Sequence, residues 1–143
     1  WVVTLDALRP YLVAAPEQDP PPDPYLHAKR PWGLDLTLVV QRDERTTCTT
    51  RFADMYWTFA QQLAHMTVNG ATVRPGDFFA SGTVSGPSPR ERGSLIEMIA
   101  DGTESGFLAD GEIVTLRGWC GTEPRGVGFG SATGTIVRTQ GSF

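Results

Sequence analysis

A chain of 143 residues with 40% hydrophobic content is long enough to bury one core, and one domain spanning 1–143 is the expectation. Sixteen glycines and eleven prolines imply many turns and short strands and exclude a helical bundle. The net charge of −4 and the sequence pI near 5.1 argue against a nucleic-acid partner, and no apolar run is long enough to span a bilayer, so no membrane association is expected.

In chain order, the segment from Trp1 to Leu12 is apolar and reads as β-rich. A tryptophan where a methionine would stand, with no signal-peptide pattern behind it, suggests a chain cut from something longer. Residues 16–31 hold most of the prolines and predict an extended loop without regular structure, serving either as a functional or partner contact or as plain solvated surface. Leu34 to Val40 alternates as a half-buried strand with Leu34, Leu36 and Leu38 on one face, and the polar stretch 41–50 supplies a turn and a return strand.

Between Arg51 and Thr67 the period changes. Phe52, Met55, Tyr56, Phe59, Leu63 and Met66 recur at three- and four-residue spacings, which predicts the principal helix, ending before Asn69-Gly70. Trp57, Gln61, Gln62 and His65 fall on its solvated or interface side. Arg74-Pro75-Gly76-Asp77 is a tight-turn sequence, Phe78-Phe79-Ala80 reads as a short buried strand, and Ser81 to Pro87 is a small-residue loop that a ligand can approach closely.

Glu97 stands out. It interrupts the apolar run Leu95-Ile96 and Met98-Ile99-Ala100, which reads as a strand. On a core or cleft face its carboxylate needs a partner, because an unpaired buried charge costs several kcal/mol; on an edge strand it would simply face water. Further on, 112–120 is a strong strand, the glycine-rich segment 126–130 precedes another strand at 134–137, and close strand packing accounts for those glycines better than phosphate binding does. Cys48 and Cys120, with only His27 and His65 for imidazole, are too sparse for a zinc site and read as reduced, buried small hydrophobes, which fits an intracellular, cytoplasmic protein. The fold class expected is mainly β with one principal helix, α+β.

Several ordered motifs carry a resemblance. Met55-Tyr56-Trp57-Thr58 with Gln61-Gln62-Leu63, Val68-Asn69-Gly70, Arg74-Pro75-Gly76-Asp77, Ala80-Ser81-Gly82-Thr83 with Ser85-Gly86-Pro87, Gly93-Ser94 and Glu97 together resemble the C-terminal part of the fumarylacetoacetase family. Pieces at 1–8, 18–26 and 127–130 extend the likeness nearly end to end.

The resemblance implies a mixed β-roll, incomplete at its N-terminal side, and hydrolysis of a carbon–carbon bond in a 1,3-diketo acid, fumarylacetoacetate plus water giving fumarate and acetoacetate in tyrosine and phenylalanine catabolism. It also implies Mg²⁺ or Ca²⁺ polarising the diketone, a histidine as general base on water, and a homodimer. Glu97 matches the family glutamate that orients this histidine, the catalytic assignment, and Thr83 matches the threonine that holds the substrate. The family's metal-binding carboxylates, histidine, lysine and arginine lie upstream of the segment that this chain resembles, so no metal ligand is assigned within it, and His27 and His65 do not fill those places. Ser88 to Arg92 departs from the family's usual acidic pattern and offers Arg90 or Arg92 as substrate contacts. By itself the chain is expected to be inactive. The alternatives are a related diketo-acid hydrolase, decarboxylase or isomerase, or a non-catalytic β-rich binding module.

Overall fold

The computed structural model describes residues 2–122 and 126–138. Two antiparallel sheets carry the architecture. Strands β1 (Leu12–Ala14) and β2 (Trp32–Leu34) form a short pair in the register Leu12 to Leu34. Strands β3 (Leu36–Arg42), β4 (Arg45–Arg51), β5 (Ile113–Cys120) and β6 (Val127–Thr135) form a second sheet in the order β4-β3-β5-β6. Helices are few and short: α1 (Leu5–Leu8), α2 (Phe59–Thr67) and α3 (Leu95–Ala100). The result is a sheet-dominated α+β arrangement, and no helix among the described residues is long and apolar enough to cross a membrane.

The expected strand and its polar return are β3 and β4, closed by a tight turn in which Asp43 takes φ 52. Asparagine and aspartate tolerate that left-handed region better than bulkier residues do. Asp43 also ties the turn to the neighbouring strand, accepting a hydrogen bond from the Ile113 amide at 3.0 Å and donating its own to the Ile113 carbonyl at 2.7 Å. The strong strand near 112–120 is β5, the central partner of β3.

The core gathers Leu8, Leu34, Leu36, Phe52, Val84 and Cys120, flanked by Tyr11, Leu12, Leu38, Met55, Val127 and Phe129. Leu34, Leu36 and Leu38 all pack into this core, but the single strand expected over 34–40 is divided at Asp35: Leu34 ends β2, and Leu36 and Leu38 belong to β3. Both cysteines are buried free thiols, and burial is the first cause that pushes each above its ordinary value.

Several expectations are corrected. The segment before Leu12 is helical where β structure was expected: Thr4 caps α1 through its hydroxyl, and a 3₁₀ turn at Arg9–Tyr11 follows; Trp1 lies outside the described residues. Residues 51–67 are not one helix. A 3₁₀ turn at Phe52–Asp54 buries Phe52, the chain then straightens through Met55, and α2 starts only after Thr58, whose hydroxyl and the Gln61 side chain form a reciprocal capping box. Leu63 and Met66 on α2 remain exposed, whereas Gln61, expected on the solvated side, is 3% exposed. Its amide donates to the Leu26 carbonyl at 3.1 Å and to Gln18 Oε1 at 2.7 Å, which fastens the proline-rich segment to α2.

The turn at Arg74–Asp77 forms as expected, with Gly76 at φ 98 and the Asp77 amide donating to the Arg74 carbonyl at 3.0 Å. Beyond it, Phe78 to Ala80 is neither strand nor buried, and Phe78 is 96% exposed. The two glycine-bearing segments near the C-terminal end belong to one strand, β6. Close packing explains Gly126, where a methyl would sit 2.7 Å from the Cys120 carbonyl oxygen, but not Gly128 or Gly134, where a methyl would meet nothing within 4 Å, while Gly130 takes φ 70.

Candidate functional site

The site is built on Val84. This buried side chain joins the core from the small-residue loop, so its neighbours Thr83 and Ser85 are fixed in position by an apolar anchor between them. On the other side of the loop, a 3₁₀ turn at Pro89–Glu91 packs against β4. It is held by the Glu91 carboxylate, which accepts from the Ser88 amide at 2.9 Å, and by the Gly86 amide donating to the Glu91 carbonyl at 2.8 Å. Arg92 closes the loop, its guanidinium donating to the Gly86 carbonyl at 3.0 Å and pairing with Asp101 at the end of α3.

Gly93 then passes against the loop so tightly that a methyl there would sit 2.2 Å from the Val84 carbonyl oxygen and 2.9 Å from the Thr83 methyl. We expect Gly93→Ala to cost about 1–3 kcal/mol by overpacking, seen as a lower thermal unfolding midpoint, and to displace Thr83 and Ser85 together.

Glu97 lies on α3, not on a strand. Ser94 caps the helix, accepting from the Glu97 amide at 3.3 Å, and this folds the Glu97 side chain back over the first turn. There the carboxylate oxygen Oε2 accepts two hydroxyl hydrogen bonds, from Ser94 Oγ and from Ser85 Oγ, each at 2.8 Å. The carboxylate is half-buried, so neither the edge-strand reading nor the fully buried reading describes it. Its pKa is held below the ordinary glutamate value by the Ser94 hydroxyl first and the Ser85 hydroxyl next, with the Arg92 charge adding to them. It therefore stays ionised at neutral pH and presents an acceptor.

Thr83 is exposed, and its methyl abuts Gly93, which directly precedes the Ser94 cap of α3. The two residues singled out from sequence thus flank one backbone crossing. The histidines do not join them: His27 Nε2 bonds the Pro22 carbonyl at 2.8 Å, and His65 Nδ1 bonds the Tyr25 hydroxyl at 3.1 Å. Arg92, offered as a substrate contact, is engaged with Gly86 and Asp101 instead, while Arg90 is exposed. A separate cavity of about 620 Å³ lies between the proline-rich segment, α2 and residues 78–81, and neither Glu97 nor Thr83 lines it.

Comparison with known proteins puts this arrangement in context. The sequence model of the family described as "Fumarylacetoacetate (FAA) hydrolase C-terminal" matches residues 1–137. The chain belongs to this family. Among curated relatives, it is similar to the fumarylacetoacetase of Arabidopsis thaliana, 46% identical over 96% of this chain and 36% of that protein. It is likewise similar to the fumarylacetoacetases of Caenorhabditis elegans, at 43%, and Homo sapiens, at 40%, over the same shares of each chain. The chain thus spans about a third of the length of the curated relatives it matches.

Membership of the fumarylacetoacetate hydrolase C-terminal family brings an expectation of a divalent metal. Among the described residues no three His, Cys, Asp or Glu side chains converge as a ligand set, so this portion of the family fold does not by itself fit a metal ion. What it does build is the Ser85–Glu97–Ser94 cluster. Ser85 and Ser94 were not singled out from sequence as functional. A signal was present, since Ser94-Leu95-Ile96-Glu97 has the serine-x-x-glutamate spacing of a helix start, which places a hydroxyl and a carboxylate in reach of each other.

Proposed function

We propose that this chain is the portion of a fumarylacetoacetase-type hydrolase that supplies the carboxylate which orients the general base. The substrate is a 1,3-diketo acid, and water cleaves its carbon–carbon bond to give two smaller acids, fumarate and acetoacetate for fumarylacetoacetate. The observation that carries this reading is the Glu97 carboxylate, fixed through Oε2 by two hydroxyls within a family match that spans nearly the whole chain.

The remaining oxygen, Oε1, takes no protein donor among the described residues and is the acceptor an imidazole N–H requires. An imidazole held this way keeps its other nitrogen free to accept a proton from water, and the carboxylate stabilises the imidazolium that forms. Thr83, exposed on the anchored loop, donates its hydroxyl to the substrate. The histidine, the Mg²⁺ or Ca²⁺ ligands and the strands that complete a β-roll come from outside residues 1–143, in a cytoplasmic homodimer acting in tyrosine and phenylalanine breakdown.

The test is direct. A full-length protein carrying this chain, supplied with Mg²⁺ or Ca²⁺, should consume fumarylacetoacetate as followed by loss of its diketone absorbance, and residues 1–143 alone should not. Turnover by the isolated chain, or none by the folded full-length protein, would overturn the reading.

A further inference from the structure

We propose that Ser85 is a positioning residue that acts through Glu97: it makes Oε1 the single acceptor this carboxylate offers. The inference rests on the proposed role of Glu97 and adds a residue to it.

A carboxylate oxygen accepts about two hydrogen bonds in its plane, and Oε2 already receives two, from Ser85 and Ser94 at 2.8 Å each. Oε2 is therefore saturated, and any further donor must come to Oε1. The two hydroxyls do not have equal freedom. Ser94 lies three residues before Glu97 and accepts the Glu97 amide, so it serves the helix start whatever the loop does. Ser85 comes from a different segment, twelve residues earlier, and is the only described side chain outside the 94–97 turn that hydrogen-bonds to the carboxylate.

Its hydroxyl also has a fixed direction. Ser85 Oγ accepts from the Gly93 amide at 3.0 Å, and that bond turns the hydroxyl hydrogen toward Glu97. The chain of bonds runs from the Gly93 amide to the Ser85 hydroxyl to the Glu97 carboxylate, each donor used once. Val84 fixes one end in the core, and the close crossing of Gly93 fixes the other. Without the Ser85 hydroxyl, the carboxylate is free to rotate about its last torsion, and Oε2 has an empty lone pair to offer in place of Oε1.

Other charged or titratable groups face this cluster: Arg92 and Glu91 from the loop, Asp101 at the end of α3, paired with Arg92, and the neutral Cys48 thiol of β4, which Glu97 and Glu91 help to keep protonated. None of them donates a hydrogen bond to Glu97 among the described residues.

The experiment uses the full-length protein. Ser85→Ala should lower kcat on fumarylacetoacetate roughly 10- to 100-fold with little change in KM, as expected for a misaligned base, and Ser85→Thr should recover most of the loss. In a Glu97→Gln background, Ser85→Ala should have almost no further effect, because its influence passes through the carboxylate. A readout independent of activity is the titration of the Glu97 carboxyl by ¹³C NMR. Its midpoint should rise in Ser85→Ala, since a donor to the ionised form is lost, and fall back in Ser85→Thr.

If Ser85→Ala fails to fold, Ser85→Cys, nearly the same shape with a much weaker donor, should reproduce both changes. Unchanged titration together with wild-type kcat in whichever variant folds would overturn the proposal, as would an undiminished Ser85→Ala effect in the Glu97→Gln background. Absence of hydrolysis in the wild type strikes the functional reading instead, and the NMR midpoint still decides whether Ser85 controls Glu97.

Discussion

In the full-length protein, Glu97→Gln is expected to lower kcat about 10²–10⁴-fold while leaving KM and the thermal unfolding midpoint close to wild type. The reason is the donor arithmetic around the carboxylate. Ser85 and Ser94 both donate to Oε2, and each hydroxyl also accepts a backbone N–H, from Gly93 and from Glu97 itself. An amide in place of the carboxylate must put its oxygen where Oε2 was to keep those two bonds. Its NH₂ then occupies the place of Oε1 and would confront the N–H of the proposed imidazole base with another donor. If the amide turns over, the NH₂ instead faces two hydroxyls whose hydrogens point at it. Either arrangement loses the orienting bond while volume and packing are nearly unchanged. Glu97→Asp keeps the charge but shortens the reach by one methylene, and it should lie between the two. Steady-state kinetics on fumarylacetoacetate with circular dichroism as the folding check decides the matter; Glu97→Gln activity within threefold of wild type would sink the orienting role.

How much of this is readable from sequence depends on how many residues each signal has to work with. The β3–β4 hairpin was visible because Leu34 to Val40 gives several turns of a two-residue period and the return strand is bounded by polar turn residues. Glu97 is visible as a carboxylate in an apolar run, but the element that carries it is not. Six residues with apolar side chains at 95, 96, 98 and 99 fit a buried strand or a short helix about equally well. The discriminating information was in the caps. Thr58-x-x-Gln61, Ser88-x-x-Glu91 and Ser94-x-x-Glu97 each mark a helical start, and the structure uses all three. Read that way, residues 51–67 would have been divided at Thr58, and Ser94 would have been placed against Glu97.

Other features were out of reach of any local signal. Phe78-Phe79 looks buried because it is apolar, yet hydrophobicity alone does not say what covers a side chain, and the described residues leave Phe78 open. Ser85 meets Glu97 only because Val84 enters the core and Gly93 crosses the loop, a tertiary fact with no period. The ion-pair cluster that closes the hairpin onto β5 is of the same kind.

That cluster should carry the largest effect on stability. Arg42 on β3 is 11% exposed and pairs with two carboxylates at once: Glu104 at 2.9 Å, itself 10% exposed, and Glu112 at 2.6 Å. Arg45 across the turn takes the other oxygen of Glu104 at 2.6 Å, and the Ala109 amide donates to Glu112, which is the first reason the Glu112 pKa is held down, followed by Arg42. One guanidinium thus joins the end of the β3–β4 hairpin to the connection that leads into β5. Removing Arg42 leaves the half-buried Glu112 without its arginine and Glu104 with Arg45 alone, so Arg42→Met should clearly lower the thermal unfolding midpoint. Methionine keeps the apolar stem, so the loss reports on charge and not on a void.

The sign of the pH dependence follows from the direction of the Glu112 shift. A carboxylate whose folded pKa lies below its ordinary value of 4.5 contributes stability that is present above that pH and is lost as the pH falls through the folded value. The difference between wild type and Arg42→Met should therefore be full at pH 7 and shrink progressively below pH 4.5, as protonation removes the partner the arginine was serving. Thermal unfolding at a series of pH values measures it. A gap that stays constant down to acid pH would mean that Arg42 stabilises the hairpin through its stem and that its charge contributes nothing.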